Sequence, residues 1–184
     1  GFDTFANSHE VNIEYCWAFK NGIDIWGSDF WASLGANFRG NGNGFKLGGS
    51  DVLQNNRITN SVAFGNPSNG FDLNSNVGGQ TVYNNLSYDN GINYDFDSAL
   101  SSGEEHVFRN NISYSSDGTD VFQDADSAYN TWNGISVGAS DFVSLDVSHT
   151  AVARNPDGSI PLTGLFELTP GSGLIDAGTN VGIP

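Results

Sequence analysis

Apolar and polar residues alternate along this chain in runs of only three to five, and the runs return at a nearly fixed interval. Asn60-Ser-Val-Ala-Phe64 comes back as Asn84-Asn-Leu-Ser-Tyr88 and as Asn110-Asn-Ile-Ser-Tyr114, starting 24 and 26 residues apart. Tyr15-Cys-Trp-Ala-Phe19 is a looser copy. Alternation over so few residues is a strand signal, and a unit of this length cannot bury a core alone, so successive copies must stack. The pattern predicts a solenoid of parallel coils whose outer wall carries function.

A second strand recurs within each repeat: Gly1-Phe2-Asp3, Gly44-Phe45-Lys46-Leu47, Gly70-Phe71-Asp72-Leu73 and Asn93-Tyr94-Asp95-Phe96. Period-two alternation places Phe45, Phe71 and Tyr94 inside and Lys46, Asp72 and Asp95 outside, with equivalent positions stacked ~4.8 Å apart. Phe19, Phe64, Tyr88 and Tyr114 are expected to form an internal aromatic stack. Asn60, Asn84 and Asn110 are expected to form an amide ladder along the axis. Such a ladder accounts for the Asn85-Leu-Ser and Asn111-Ile-Ser sequons without glycosylation. The coils are expected over 1–126, with an insertion over about 27–43 that has Trp26, Phe30, Trp31, Phe38 and Arg39 in or beside it. A loop leaving one coil serves either as a binding element or as a flap over that coil. Beyond 126 the repeat decays, and 127–184 reads as an irregular C-terminal cap of the same domain that covers the last coil.

Composition sharpens this picture. The 184 residues include 24 Gly and 23 Asn, which favour turns and left-handed backbone over helix interiors, while 13 Phe, 6 Tyr and 4 Trp demand burial. An all-β chain of short strands and tight corners satisfies both. The formal charge of −15 argues against a nucleic-acid partner, and no run approaches the ~18 apolar residues of a membrane span. Cys16 is the sole cysteine and reads as a small buried hydrophobe. The opening residues alternate at once with no lead-in, so an N-terminal part of a longer protein is expected to be missing. A monomer is expected, and acidity without Met is compatible with a secreted bacterial protein.

His9, His106 and His149 occupy unrelated repeat positions and read as surface or satisfied side chains. Lys46 stands out. It is one of six basic residues and occupies a column otherwise filled by Asp3, Asp72 and Asp95. A ladder salt bridge would explain it, but small residues surround it in Asn41-Gly-Asn-Gly-Phe-Lys-Leu-Gly-Gly49, and these leave room for something large to approach. Asp24 and Asp72 flank the same wall, where they would hold a stray ion or form a solvated acidic face.

The stretch from Gly40 to Gly49, followed by Asn60-Ser-Val-Ala-Phe64 and Asn69-Gly-Phe-Asp-Leu-Asn74, resembles polysaccharide lyase family nine, the pectate lyases. Asp157-Gly-Ser-Ile-Pro161 and Gly171-Ser-Gly-Leu-Ile-Asp-Ala-Gly178 are similar to the end of that family's catalytic domain. The resemblance covers essentially the whole chain and is most specific at Asn43-Gly-Phe-Lys-Leu-Gly-Gly49. It implies a right-handed parallel β-helix and calcium-dependent β-elimination on polygalacturonate or a related acidic polysaccharide. The motif lysine, Lys46, is then the general base. Gly1-Phe2-Asp3 matches the end of a family motif that binds calcium, which makes Asp3 a calcium ligand, with the remaining ligands expected upstream of Gly1. A histidine that often follows the lysine motif is replaced near that place by Arg57. Arg57, Arg39, Asn43 and Asn69 are the candidate substrate-binding residues, the two arginines because a guanidinium pairs bidentately with a carboxylate. Trp26 and Trp31 would stack on sugars or pack as a flap.

The implied chemistry is physically coherent. The proton on carbon 5 is poorly acidic beside an ionised carboxylate, and a bound cation neutralises that charge. A free lysine, with a pKa of ~10.4, is a poor base unless a neighbouring cation and desolvation favour its neutral form. The acidic surface would itself repel a polyuronate unless calcium bridged the two. Two other readings stay open: a non-catalytic β-helix that binds glycan or serves structurally, and a uronate epimerase, which shares proton abstraction at carbon 5 without the elimination.

Overall fold

The computed structural model describes residues 1–23, 41–151, 153–159, 161 and 164–183. Among them the chain forms fourteen short strands and no α-helix. In order these are β1 (Phe2–Asp3), β2 (Asn12–Glu14), β3 (Trp17–Phe19), β4 (Phe45–Lys46), β5 (Arg57–Thr59), β6 (Val62–Phe64) and β7 (Asn69–Asp72). They continue as β8 (Thr81–Tyr83), β9 (Leu86–Asn90), β10 (Ile92–Phe96), β11 (His106–Arg109), β12 (Ile112–Ser116), β13 (Val121–Phe122) and β14 (Ala125–Ala128).

Every named strand pairs only in parallel, and each with the strand three places away in sequence, so three sheets run along one axis: β1-β4-β7-β10-β13, β2-β5-β8-β11-β14 and β3-β6-β9-β12. This is a parallel β-helix, as the repeat predicts. In the first sheet Phe2, Phe45, Phe71 and Tyr94 stand in register, their rings stacked 4.9–5.0 Å apart and within 14° of parallel. Ile13, Ile58, Val82 and Phe108 fill the core from the second sheet, and Ala18 and Ala63 from the third.

The small residues of the third sheet reverse one expectation. Ala18, Ala63 and Ser87 face inward, so Phe19, Phe64, Tyr88 and Tyr114 one position later form a column on the outer face. That column is still covered. Phe166 packs edge-on against Phe64 and Tyr88, and Phe142 lies 6.0 Å from Tyr114. Trp132 does the work of an end cap, stacking 4.3 Å from Phe122 and leaning on Tyr94 and Phe108. Alternation alone does not tell which face of a three-residue strand is inner; the narrow interior at this sheet admits only Ala or Ser.

Asparagine holds the corners. Asn84 donates to Asn60 at 3.1 Å and Asn110 to Asn84 at 2.9 Å, the ladder expected from sequence. All three have φ between 51° and 58°, a conformation that Asn tolerates better than most residues. Two further ladders are buried. Asn85 donates to Asn111 and Asn111 to Asn130, while Asn21 donates to Asn66 and Asn66 to Asn90. Each buried amide also caps a backbone carbonyl of the preceding coil, such as Val82 for Asn111. Asn85 and Asn111, the two sequon residues, are thereby enclosed within the fold.

Asn111 accepts from both the backbone and the side chain of Asn85, so Asn111→Ala strands several buried polar groups at once. We expect it to cost roughly 2–6 kcal/mol in urea unfolding, since each orphaned group costs about 1–3 kcal/mol. Asn84→Gly, on the outer ladder with its positive φ preserved, should cost less than about 1 kcal/mol. Equal losses would refute the distinction between the inner and outer ladders.

Candidate active-site wall

The register that stacks the aromatic rings inside stacks a second set of side chains outside. Asp3, Lys46, Asp72 and Asp95 are consecutive partners across β1, β4, β7 and β10. Lys46 Nζ lies 3.3 Å from Asp3 Oδ2, with the lysine side chain 16 % exposed and the aspartate 47 %. The other Asp3 oxygen accepts the Phe5 N–H at 2.9 Å.

Asp72 is not the solvated acid its polarity suggests. It is buried; its Oδ2 accepts from the Asn43 side-chain amide and its Oδ1 accepts the Asn74 N–H at 2.8 Å. Burial pushes this carboxyl up to about 6, against the pull of the Asn74 N–H; Asp95 pushes the same way and Lys46 opposes it. Asp95 is raised as well, first by burial and then by Asp97, while the Asn69 amide, 2.7 Å away, lowers it.

Asn43 and Asn69, expected to touch substrate, are engaged with the protein itself. Asn43 holds Asp72 with its amide and accepts the Asn69 N–H at 2.9 Å with its oxygen. Asn69 holds Asp95. Arg57 lies in β5 of the second sheet, between Asn12 and Thr81, so it does not join the Lys46 column; its Nε is buried without a hydrogen-bond partner. Arg39, Asp24, Trp26 and Trp31, with the insertion up to residue 40, lie outside the described residues.

The glycines around Lys46 have a packing role. Gly48 and Gly49 have φ of 151° and 153°; a Cβ on Gly48 would meet Asn76 at 2.4 Å, and one on Gly49 the Phe5 ring at 2.5 Å. His106 is not a surface residue and is satisfied at only one ring nitrogen. It is fully buried, its Nδ1 accepts the Gln80 N–H at 3.0 Å, and its Nε2 has no partner. Burial lowers its pKa to about 4.

Calcium prefers six to eight oxygen ligands. Among the described residues no group of three or more His, Cys, Asp or Glu is placed to hold a metal. Asp72 has both oxygens hydrogen-bonded, Asp95 holds Asn69, and Asp3 is shared between Phe5 and Lys46. The described residues therefore do not fit a calcium site by themselves.

The family described as "Pel9A-like, right handed beta helix region" matches residues 1–111. The chain belongs to this family. Its coils are accordingly right-handed. Pectate lyase L of Dickeya chrysanthemi is 53 % identical over 180 residues, 97 % of this chain and 40 % of that protein. The crystal structure of pectate lyase Pel9A superposes with a TM-score of 0.89 at 51 % identity, over all of this chain and 44 % of that one. A rhamnogalacturonan lyase superposes with a TM-score of 0.71 at 25 % identity, over 92 % of this chain and 44 % of that one. The chain thus spans well under half the length of these members of the Pel9A-like family and their structural neighbour.

Asp72 and His106 titrate in one window with opposite effects. The folded state favours protonated Asp72, whose contribution is full below about pH 3.8 and is lost as pH rises through about 6. It favours neutral His106, whose contribution is full above about pH 6.5 and is lost as pH falls through about 4. We expect His106→Asn, which keeps an acceptor for Gln80 and cannot titrate here, to remove the part of the stability that grows between pH 4 and 6.5. An unchanged urea-unfolding series would assign that proton uptake elsewhere. Carbon-detected titration of the Asp72 carboxyl should show a midpoint near 6.

Proposed function

We propose that this chain forms part of a secreted lyase that cleaves polygalacturonate or a closely related acidic polysaccharide by β-elimination, with Lys46 as the general base. The observation that carries the reading is the placement of Lys46 as the lone amine in an outward column of aspartates, on a coil wall whose relatives include pectate lyases. Secretion follows from the substrate, a polymer too large to enter a cell.

In the reaction the neutral amine of Lys46 takes the proton from carbon 5, alpha to the uronate carboxylate. The C5–H electron pair forms the C4–C5 double bond, and the C4–O4 bond breaks with its electrons leaving on oxygen 4, which is then protonated. Lys46 is left as the ammonium ion and returns its proton to solvent. The amine lies 3.3 Å from Asp3 Oδ2, so its approach to carbon 5 requires that contact to open. Calcium belongs to the proposal as the group that neutralises the substrate carboxylate. Asp3 would supply at most one of its ligands, since the described residues do not make a calcium site by themselves. Arg57, on the second sheet, and Arg39 remain candidates for substrate contact.

The test is a chimera in which this chain replaces the corresponding segment of pectate lyase L from Dickeya chrysanthemi. With polygalacturonate and calcium it should generate the ultraviolet absorbance of unsaturated uronides, and Lys46→Ala should abolish this, by at least ~1000-fold, while the circular dichroism spectrum is retained. A folded chimera that makes no unsaturated product favours the non-catalytic glycan-binding alternative. Activity that survives Lys46→Ala removes Lys46 from the base role.

A further inference from the structure

The segment that carries Lys46 is fastened to the next coil at both ends, and one residue joins the two fastenings. In front of Lys46, Asn43 accepts the Asn69 N–H with its oxygen and gives its amide to Asp72. Behind Lys46, Asn74 donates its side-chain amide to the Gly48 carbonyl at 2.6 Å, and its own N–H is held by Asp72 at 2.8 Å. The Asp72 carbonyl takes the Leu47 N–H at 2.8 Å. Asp72 is itself in register beside Lys46.

We infer that Asp72 is a positioning residue for Lys46: through Asn43 on one side and Asn74 on the other, it locks the segment bearing the amine onto the neighbouring coil. The inference rests on Lys46 being the base proposed above.

The device repeats once more, since Asn69 reaches forward to Asp95 just as Asn43 reaches to Asp72. In each case an asparagine on one coil holds the aspartate of the next. Lys46 stands where that aspartate would be on its own coil, and its amine pairs with Asp3 on the preceding coil instead. The lysine tip thus points away from the rigid, amide-clamped side of the wall. A lyase needs its base held against carbon 5 to within a fraction of an ångström, and a displacement of 1 Å can cost ~100-fold in rate.

The hydrogen-bond pattern permits an unusual test. Asp72→Asn sets two amides against each other, and Asn43→Ala removes the clamp while leaving the Asp72 charge in place. Combining Asn43→Asp with Asp72→Asn reverses donor and acceptor and restores every bond: position 43 still accepts from the Asn69 N–H, position 72 still accepts from the Asn74 N–H, and the amide now donates in the opposite direction. In the chimera we expect Asp72→Asn and Asn43→Ala each to lower kcat by about 10-fold or more with KM within about twofold, and the reversed pair to recover most of it. If Asn43→Ala keeps full kcat, or the reversed pair stays as low as Asp72→Asn, the positioning role is wrong and the Asp72 charge acts directly. Amide hydrogen exchange in the 184-residue chain gives a readout independent of catalysis. Gly44 and Leu47, whose N–H groups bond Asn69 and Asp72, should lose protection in Asp72→Asn and regain it in the reversed pair. An inactive wild-type chimera would sink the lyase reading and leave exchange to decide this one, with unchanged protection overturning it.

Discussion

Everything in this fold depends on register between coils. A parallel β-helix has no local sheet: each strand finds its partner a full coil away, so every backbone hydrogen bond of a sheet presupposes that the intervening corners close at the right length. The stacked rings of Phe2, Phe45, Phe71 and Tyr94 make that register expensive to lose, because a slip of one residue would turn the rings outward and the charged column inward. The same register delivers Lys46 between Asp3 and Asp72. Core packing and the candidate active site are two faces of a single constraint.

Asparagine is what lets corners of different length close on the same register. Repeats 24 and 26 residues long stack because Asn85, Asn111 and Asn66 each donate to the amide of the next coil and to a carbonyl of the previous one, while Asn130 and Asn90 end the two ladders and still hold a carbonyl of the previous coil. A side chain with two donors and an acceptor can hold polar backbone at a buried bend where no strand partner exists. The outer ladder has a different physical basis: its residues sit at positive φ, where the backbone conformation itself selects Asn.

The wall around Lys46 applies the same chemistry to carboxylates. Asp72 is desolvated, yet the Asn74 N–H and the charge of Lys46 pull against that burial, and its pKa rises only to about 6. The bonds already made by Asp72 and Asp95 leave Asp3, whose side chain is 47 % exposed, as the most open carboxylate of the column.

The recurrence of Asn-x-apolar-small-aromatic determined the coil and the approximate period, and the second recurring strand determined the Asp3–Lys46–Asp72–Asp95 column, because alternation and spacing are properties of the chain itself. The lysine's isolation among acids was equally visible. The third sheet's inner face was not, since Ala63 and Phe64 are adjacent and only the width of the interior decides which of them fits. Nor could sequence tell that the glycines beside Lys46 make room for Asn76 and Phe5, that His106 is enclosed, or that Asn43 and Asn69 hold carboxylates of the next coil. Each of those facts is a contact between residues roughly a coil apart or more. Local pattern specifies which way a side chain points; only the stacked structure specifies what it meets there.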